Sequence, residues 1–173
     1  HMRYIEEVVQ PYMEKQSIPI LGVLPEERLL LSISVRELTQ LLAGEMLCCP
    51  DTADELVEHF MVGAMSVDSA LAHFRRKPHK AVITGGDRPD IQLAALETST
   101  RCLILTGNLH PSPVILERAR SVNVPIILVK HDTLTTVETI EEVFGKTRFH
   151  QKKKIDRFVR LLEGRFDFDR LYK

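Results

Sequence analysis

The chain has 173 residues, of which 44% are hydrophobic and 27% are charged, and its formal net charge is −1. This composition is typical of a globular protein and excludes the disordered and collagen-like classes, while the length suits one domain or one domain with a fragment of another. No apolar run is long enough to cross a membrane, and the first residues lack the basic-then-apolar layout of a signal peptide. We therefore expect a soluble, cytoplasmic protein without a membrane partner.

The N-terminal part contains a predicted helix over residues 3–16 and a strand-like run over 18–24. Pro25 and the two glutamates after it end this run and indicate a boundary shortly before Ser34. Ser34 suits the N-cap of a helix over residues 35–42. Three further elements are predicted downstream: an edge strand over 44–49, a strand over 57–64 and a helix over 66–76.

Residues 79–145 repeat one pattern three times: a short apolar strand, a loop and a helix. The strand cores are predicted at 81–84, 102–106 and 126–129. Short apolar strands that alternate with helices predict a parallel sheet covered on both faces. The predicted fold class is therefore α/β, with three α/β/α layers and a mainly parallel sheet.

The loop over residues 84–89, with the sequence TGGDRP, follows the first of these strands and precedes a helix. Its two glycines let the backbone turn tightly and approach a ligand, and Pro89 suits the first helical position. A helix start after a glycine turn collects unpaired N–H groups, so Gly85, Gly86 and the Arg88 guanidinium together suit a phosphate or carboxylate. The alternative is that the glycines satisfy only turn geometry and that Asp87 or Arg88 caps the helix.

Ligands of parallel sheets bind beyond the carboxyl ends of the strands, where three polar loops of this chain are expected to meet. Arg88 and Lys130 suit anionic charge, and Asn108 suits hydrogen bonds to a base or sugar. These loops predict a nucleotide or another small anionic metabolite as the ligand. The candidate binding residues are Thr84, Gly85, Gly86, Asp87, Arg88, Thr106, Gly107, Asn108, Lys130 and Asp132.

Each loop also has a simpler interpretation that the sequence leaves open. Gly107 and Asn108 are common turn residues, Asp132 suits a helix cap, and Lys130 suits a solvated charge at a strand end. Such loops occur in βα proteins whether or not they bind a ligand.

Catalytic and metal-binding patterns are weak in this sequence. The histidines lack the spacing of a zinc site. The three cysteines are an odd number and form no C-x-x-C pair, so they do not suit a disulfide framework and favour a reducing compartment. His110 or His131 suits a general base beside Asp87 or Asp132, but no nucleophile motif completes the set. We therefore predict no catalytic and no metal-binding residue, and an enzyme acting on a phosphorylated metabolite stays an alternative.

The tail over residues 146–173 contains ten Lys or Arg and four Asp or Glu, so it carries +6 while the rest of the chain carries −7. Its apolar residues recur at near-helical spacing and predict a basic amphipathic helix. We prefer this interpretation to nucleic-acid binding because no stacking aromatic residues or reading motif accompany the charge. The residues of the apolar face are Ile155, Phe158, Val159, Leu161 and Leu162.

Residues 83–88, with the sequence ITGGDR, resemble the DRTGG domain family, whose name collects the letters of Asp, Arg, Thr, Gly and Gly. The resemblance extends through residues 63–66 and 105–108 and covers about residues 34–145. It implies a fold similar to the N-terminal domain of HPr kinase and a role in regulatory sensing or assembly. Carried over to this chain, the family motif is formed by residues 84–88.

Residues 18–25, followed by 29–31 and 34–38, look like the junction at which a dethiobiotin-synthetase-like P-loop domain ends and a DRTGG domain begins. Such pairs form the N-terminal region of bacterial phosphate acetyltransferases. The sequence contains no Walker A motif, so the nucleotide-hydrolysing part implied by this resemblance is absent from it. The implied organisation is a P-loop domain remnant or linker at 1–33, a DRTGG domain at 34–145 and a basic amphipathic helix at 146–173.

The resemblance therefore implies a non-catalytic regulatory or oligomerising module attached to a P-loop or acetyltransferase unit. A homo-oligomer is expected, and the cofactor, if any, stays unidentified. A purely structural scaffold is the other alternative, with residues 63–65 or the tail helix as its interface.

Overall fold

The structure, a computed structural model, describes residues 2–144, 146 and 151–172. It divides into two compact units, one formed by residues 31–147 and the other by the two ends of the chain. The helices are α1 (Met2–Tyr4), α2 (Gln10–Lys15), α3 (Arg28–Leu31), α4 (Val35–Leu41), α5 (Val67–Phe74), α6 (Pro89–Leu96), α7 (Pro113–Ser121), α8 (Thr133–Val143), α9 (Lys152–Arg165) and α10 (Phe168–Leu171). The strands are β1 (Ile33–Ser34), β2 (Glu45–Met46), β3 (Leu56–Val57), β4 (His59–Val62), β5 (Lys80–Gly85), β6 (Thr100–Thr106) and β7 (Ile126–Leu128).

The larger unit is built on a five-stranded sheet with the order β2-β7-β6-β5-β4. Strands β4 to β7 are parallel, and β2 joins the β7 edge antiparallel with Met46 opposite Ile127. Strands β1 and β3 form a separate antiparallel pair in which Ile33 lies opposite Val57. The prediction of a mainly parallel sheet is confirmed.

Helices cover both faces of this sheet. Side chains alternate along each strand, so Leu103 and Leu105 pack with α5, α6 and α7, while Cys102 and Ile104 pack with α4 and α8. Both faces are therefore buried, which explains why the strands are almost wholly apolar. The predicted α/β fold with three α/β/α layers is confirmed.

Local capping signals set the ends of several helices. The Ser34 hydroxyl accepts from the Glu37 N–H at 3.2 Å, and the Glu37 carboxylate accepts from the Ser34 N–H at 2.9 Å, so α4 begins with the N-cap that the sequence predicted. Pro89 occupies the first turn of α6, also as predicted, and Pro113 has the same position in α7.

Two predicted strands differ from the observed ones. Within the described residues, 18–24 forms no strand, and Gly22 makes an isolated bridge to Phe166. Pro19 removes a backbone donor from within that run, and Pro25 directly follows it. The predicted strand at 57–64 divides: β3 pairs with β1, whereas β4 joins the main sheet.

The unit formed by the chain ends is helical. The predicted helix at 3–16 is present and includes a π-helical turn at Ile5–Val9 between α1 and α2. The tail forms α9 and α10, while its residues 147–150 and 173 lie outside the described part of the chain, as does Gly145. Ile155 and Val159 are 43% and 44% exposed, so the predicted apolar face of the tail helix is not wholly buried. In the described residues, no helix combines the length and apolar character needed to span a membrane.

Candidate ligand-binding edge

The carboxyl ends of β4 to β7 lie along one edge of the sheet, because these strands are parallel. Backbone hydrogen bonds join the loops that follow them. The Gly86 N–H donates to the Thr106 carbonyl at 3.4 Å, and the Gly107 N–H donates to the His131 carbonyl at 2.8 Å. The structure therefore brings together the three loops that contain the predicted binding residues.

The two threonines of the predicted site are buried and tie the strands to one another. The Thr84 hydroxyl donates to the Gly63 carbonyl at 3.2 Å. The Thr106 hydroxyl donates to the Thr84 carbonyl at 3.4 Å and lies 2.9 Å from the Thr133 hydroxyl. Both side chains therefore stabilise the sheet edge.

Gly86 is fixed by a close approach of the neighbouring loop. A Cβ at this position would collide with the backbone carbonyl of Leu109 and would lie 2.6 Å from the Leu109 Cβ. At Gly85, by contrast, a Cβ would meet the end of the exposed Asp87 side chain. The second glycine of the motif thus satisfies packing within the protein.

The loop after β6 uses left-handed backbone at two consecutive residues. Gly107 has φ +77° and Asn108 has φ +56°, a region that glycine and asparagine adopt most readily. The Asn108 N–H donates to the Val129 carbonyl at 2.9 Å, and its side chain is exposed. The turn interpretation therefore accounts for both residue types and leaves the Asn108 amide accessible.

Arg88 links the loop after β4 to the start of α6. Its Nε donates to Asp90 Oδ1 at 3.0 Å, and its Nη2 donates to Asp90 Oδ2 at 2.9 Å and to the Met65 carbonyl at 3.1 Å. The hydrogen bond from Arg88 lowers the pKa of Asp90. In the part of the chain that is described, Nη1 has no hydrogen-bond partner. Arg88 is the N-cap residue of α6, but its side chain makes no capping hydrogen bond, and one side of its guanidinium stays available.

Asp132 and Lys130 follow β7 and differ in their contacts. The Asp132 carboxylate caps α8 by accepting from the Thr135 N–H at 2.9 Å and from the Thr135 hydroxyl at 3.0 Å, and these bonds lower its pKa. Lys130 is exposed. It follows β7 while Arg88 follows β5, so their strands lie two spacings apart, roughly 10 Å. The two cations therefore flank the loop after β6.

Gln92 is a buried polar residue of this edge that the sequence analysis did not single out. Its Nε2 donates to the carbonyls of Gly85 and Gly86 at 2.9 and 3.1 Å. Its Oε1 is buried and accepts no hydrogen bond from the described residues. The signal in the sequence was a glutamine among the apolar residues of a helix that begins directly after the glycine loop. Gln92 therefore holds the loop in place.

The described residues contain no cluster of side chains that suits a metal ion. Among residues 2–144, 146 and 151–172, no group of three His, Cys, Asp or Glu side chains is arranged to hold a metal ion. The accessible polar groups of the predicted site include the Arg88 Nη1 donor, the Lys130 ammonium, the Asn108 amide and the Asp87 carboxylate. The hydrogen bond and charge of Asp90, together with the charge of Asp87, raise the pKa of Arg88. This set suits an anion with further hydrogen-bonding groups.

Comparisons with known proteins agree with this architecture. The chain is 29% identical over 164 residues to a phosphate acetyltransferase of Synechocystis sp., covering 88% of this chain and 23% of that protein. It is 30% identical over 159 residues to the phosphate acetyltransferase of Nitratidesulfovibrio vulgaris, covering 86% of this chain and 22% of that protein. It therefore spans less than a quarter of these relatives.

One pyrophosphatase sequence and one pyrophosphatase structure are also similar to this chain. A cobalt-dependent inorganic pyrophosphatase of Clostridium perfringens is 35% identical over 80 residues, which are 46% of this chain and 14% of that protein. The crystal structure of the CBS and DRTGG domains of the regulatory region of a Clostridium perfringens pyrophosphatase, complexed with the activator diadenosine tetraphosphate, has a similar fold. Its TM-score is 0.56 at 24% identity, covering 79% of this chain and 56% of that one.

A family model described as the DRTGG domain matches residues 37–143, which span the whole five-stranded sheet and the loops at its carboxyl edge. This match agrees with the resemblance seen at residues 83–88. The chain belongs to the DRTGG domain family.

Proposed function

We propose that this chain is a non-catalytic regulatory module that senses a nucleotide or small anionic metabolite at the carboxyl edge of its sheet. The observation that carries the proposal is the Arg88 guanidinium, which Asp90 and Met65 hold in place while its Nη1 keeps no partner in the described residues. The exposed Lys130 supplies a second cation in the loop after β7, whose strand is the second neighbour of the strand that precedes Arg88. Two cations on loops of the same sheet edge suit a ligand with more than one anionic group.

The relatives support a regulatory role. Phosphate acetyltransferases contain a region similar to this chain, and the structurally similar pyrophosphatase region is regulatory and was crystallised with a dinucleotide activator. In this proposal, residues 34–145 are the sensing module of a longer protein. Residues 1–33 are a remnant of a P-loop domain or a linker, residues 146–173 are a basic tail, and the module assembles into a homo-oligomer.

The contacts of Arg88 also suggest how binding is transmitted. An anion bound by Nη1 joins a guanidinium whose Nη2 already donates to the Met65 carbonyl. Met65 directly precedes the Ser66 N-cap of α5. A ligand at Nη1 is therefore linked through one side chain to the starts of both α5 and α6.

A structural scaffold is the second candidate, and exposed apolar side chains favour it. Leu109, Val114 and Leu134 are 47%, 65% and 68% exposed, and all three lie on loops or helix starts at the carboxyl edge. Apolar residues grouped in this way suit a protein surface. The enzymatic alternative is weaker, because the Asp132 carboxylate is already used to cap α8.

A thermal-shift experiment tests the proposal. We expect adenine nucleotides, diadenosine tetraphosphate or acetyl phosphate to raise the melting temperature in a saturable way, because a ligand selective for the folded state stabilises it. Lys130→Ala is the informative variant, since Lys130 is exposed and makes no side-chain hydrogen bond within the described residues. This variant is expected to melt like the wild type without ligand and to lose most of the shift. The exposed Lys77→Ala is the matched control and should keep the shift.

Two results would contradict the sensing proposal or favour the scaffold. If none of these anions shifts the melting temperature at millimolar concentration, the sensing proposal fails. If, in addition, Leu134→Glu reduces the mass of an oligomer in light scattering, the scaffold replaces it.

A further inference from the structure

A polar cavity lies at the opposite edge of the sheet from the candidate site, beside the amino ends of β6 and β7. Its volume is about 230 Å³, and its polar lining comes from Thr52, Glu55, Thr100, Arg101 and Asn123. Val122 and Val124 supply apolar walls. All of these residues belong to the larger unit, and none belongs to the candidate edge described above.

The Arg101 guanidinium is the unusual group in this cavity. Its Nε is buried, yet it donates to no acceptor in the described part of the chain. Its Nη1 lies 3.4 Å from Glu55 Oε2, and its side chain makes no hydrogen bond within the residues described. A buried donor without an acceptor costs free energy. The Arg101 side chain as a whole is 36% exposed, so a turn of the guanidinium towards the cavity lets a ligand oxygen reach this donor and recover that cost.

The geometry of the guanidinium indicates which ligand group fits. Nη1 faces Glu55, so a turned guanidinium offers Nε and Nη2 as a planar pair of donors, and two parallel donors match the two oxygens of a carboxylate. The nearby Glu55 carboxylate disfavours a phosphate dianion by charge repulsion. The same carboxylate attracts a protonated amine on the ligand.

Asn123 and the size of the cavity further restrict the range of ligands that fit. Asn123 has φ +56°, is exposed, and its side-chain amide has no hydrogen-bond partner among the described residues. A cavity of about 230 Å³ is smaller than the sites that hold nucleotides or drug-sized molecules. We infer that this cavity binds a small zwitterionic amino acid, with its carboxylate on Arg101, its ammonium towards Glu55 and a short aliphatic side chain against Val122 and Val124.

Nuclear magnetic resonance tests this inference directly. The Nε–H signal of Arg101 and the side-chain NH₂ signals of Asn123 are followed while L-alanine or L-valine is added to the ¹⁵N-labelled chain. We expect both sets of signals to shift in a saturable way. Acetate should bind more weakly because it lacks the amine, and inorganic phosphate should behave like sodium chloride at the same ionic strength.

Two variants connect binding to the cavity. Arg101→Gln should weaken binding about tenfold or more, because it removes the charged donor pair. Arg76→Gln, which changes the same charge on an exposed arginine, should leave the affinity unchanged. If Arg101→Gln does not fold, Asn123→Gly replaces it, since glycine accepts the left-handed backbone while the amide is lost. Amino-acid shifts that match those of sodium chloride, or that persist unchanged in Arg101→Gln and Asn123→Gly, would overturn the inference.

These results are independent of the sensing proposal. Acetate binding as tight as that of L-alanine would overturn the role given to Glu55. Neither outcome depends on Arg88 or Lys130, because these residues lie at the other edge of the sheet.

Discussion

Replacing Gly86 by alanine should destabilise the fold strongly, although the change adds one methyl group. The added Cβ would lie 2.6 Å from both the carbonyl carbon and the Cβ of Leu109, and closer still to the carbonyl oxygen. Because backbone atoms of a neighbouring loop cannot rotate away, the loop must move. Overpacking of this kind costs about 1–3 kcal/mol, and we expect the upper end, about 3 kcal/mol.

This loss is measurable by chemical and thermal unfolding. For a chain of this length, about 3 kcal/mol corresponds to a melting temperature lower by roughly 6–12 °C. Circular dichroism during urea titration gives the free energy of unfolding of wild type and variant.

The neighbouring glycine provides the matched control. A Cβ at Gly85 meets the end of the exposed Asp87 side chain, which rotates away easily. Gly85→Ala should therefore change the free energy of unfolding by no more than about 0.5 kcal/mol. If Gly86→Ala is as stable as Gly85→Ala, the contact with Leu109 does not explain why the second motif position is glycine.

Three further predictions concern single side chains. Gln92→Leu should lower the free energy of unfolding, measured by urea titration, by about 2 kcal/mol, because two carbonyls lose their buried donor. Stability equal to that of the wild type would show that Gln92 does not hold the loop. Burial lowers the pKa of Lys80 to about 8, so the folded state loses the Lys80 proton at a lower pH than the unfolded state does. The free energy of unfolding should therefore rise between pH 8 and about 10.5. In Lys80→Met, the free energy of unfolding measured across this pH range should rise less. An unchanged slope would show that another group causes the rise. Asp132→Ala should lower the melting temperature, whereas Asp132→Asn should keep most of it because the amide oxygen still accepts from the Thr135 N–H. Because bonds to Thr135 lower the pKa of Asp132, the remaining advantage of the wild type over Asp132→Asn should vanish as the pH falls through that lowered pKa.

The sequence predicted the larger unit well because its signals are local and repeated. Apolar strands at 81–84, 102–106 and 126–129 alternate with helices, and a parallel sheet covered on both faces is the arrangement that buries them. Ser34 and Pro89 marked helix starts for the same local reason. The run at 18–24 is apolar enough to predict a strand, but Pro19 lacks a backbone donor, and the run makes only the isolated bridge between Gly22 and Phe166.

The candidate site was predicted only in part, because its contacts are tertiary. The glycines of residues 84–89 indicated a close backbone approach, but the neighbour of Gly86 is Leu109 of the next loop. The sequence indicates that Arg88 binds an anionic ligand. In the structure, Arg88 donates to Asp90 and Met65, which hold its side chain in position and leave Nη1 available. No sequence pattern identifies Gln92, whose amide bonds depend on where the loop folds back over α6.

The most direct test of ligand sensing is a ¹H–¹⁵N titration of the labelled chain with diadenosine tetraphosphate and with ATP. The account predicts saturable shifts at the backbone amides of Gly86, Arg88, Gly107 and Asn108, and a large loss of affinity in Lys130→Ala. Absence of saturable shifts, or shifts confined to residues away from the carboxyl edge of the sheet, would contradict it.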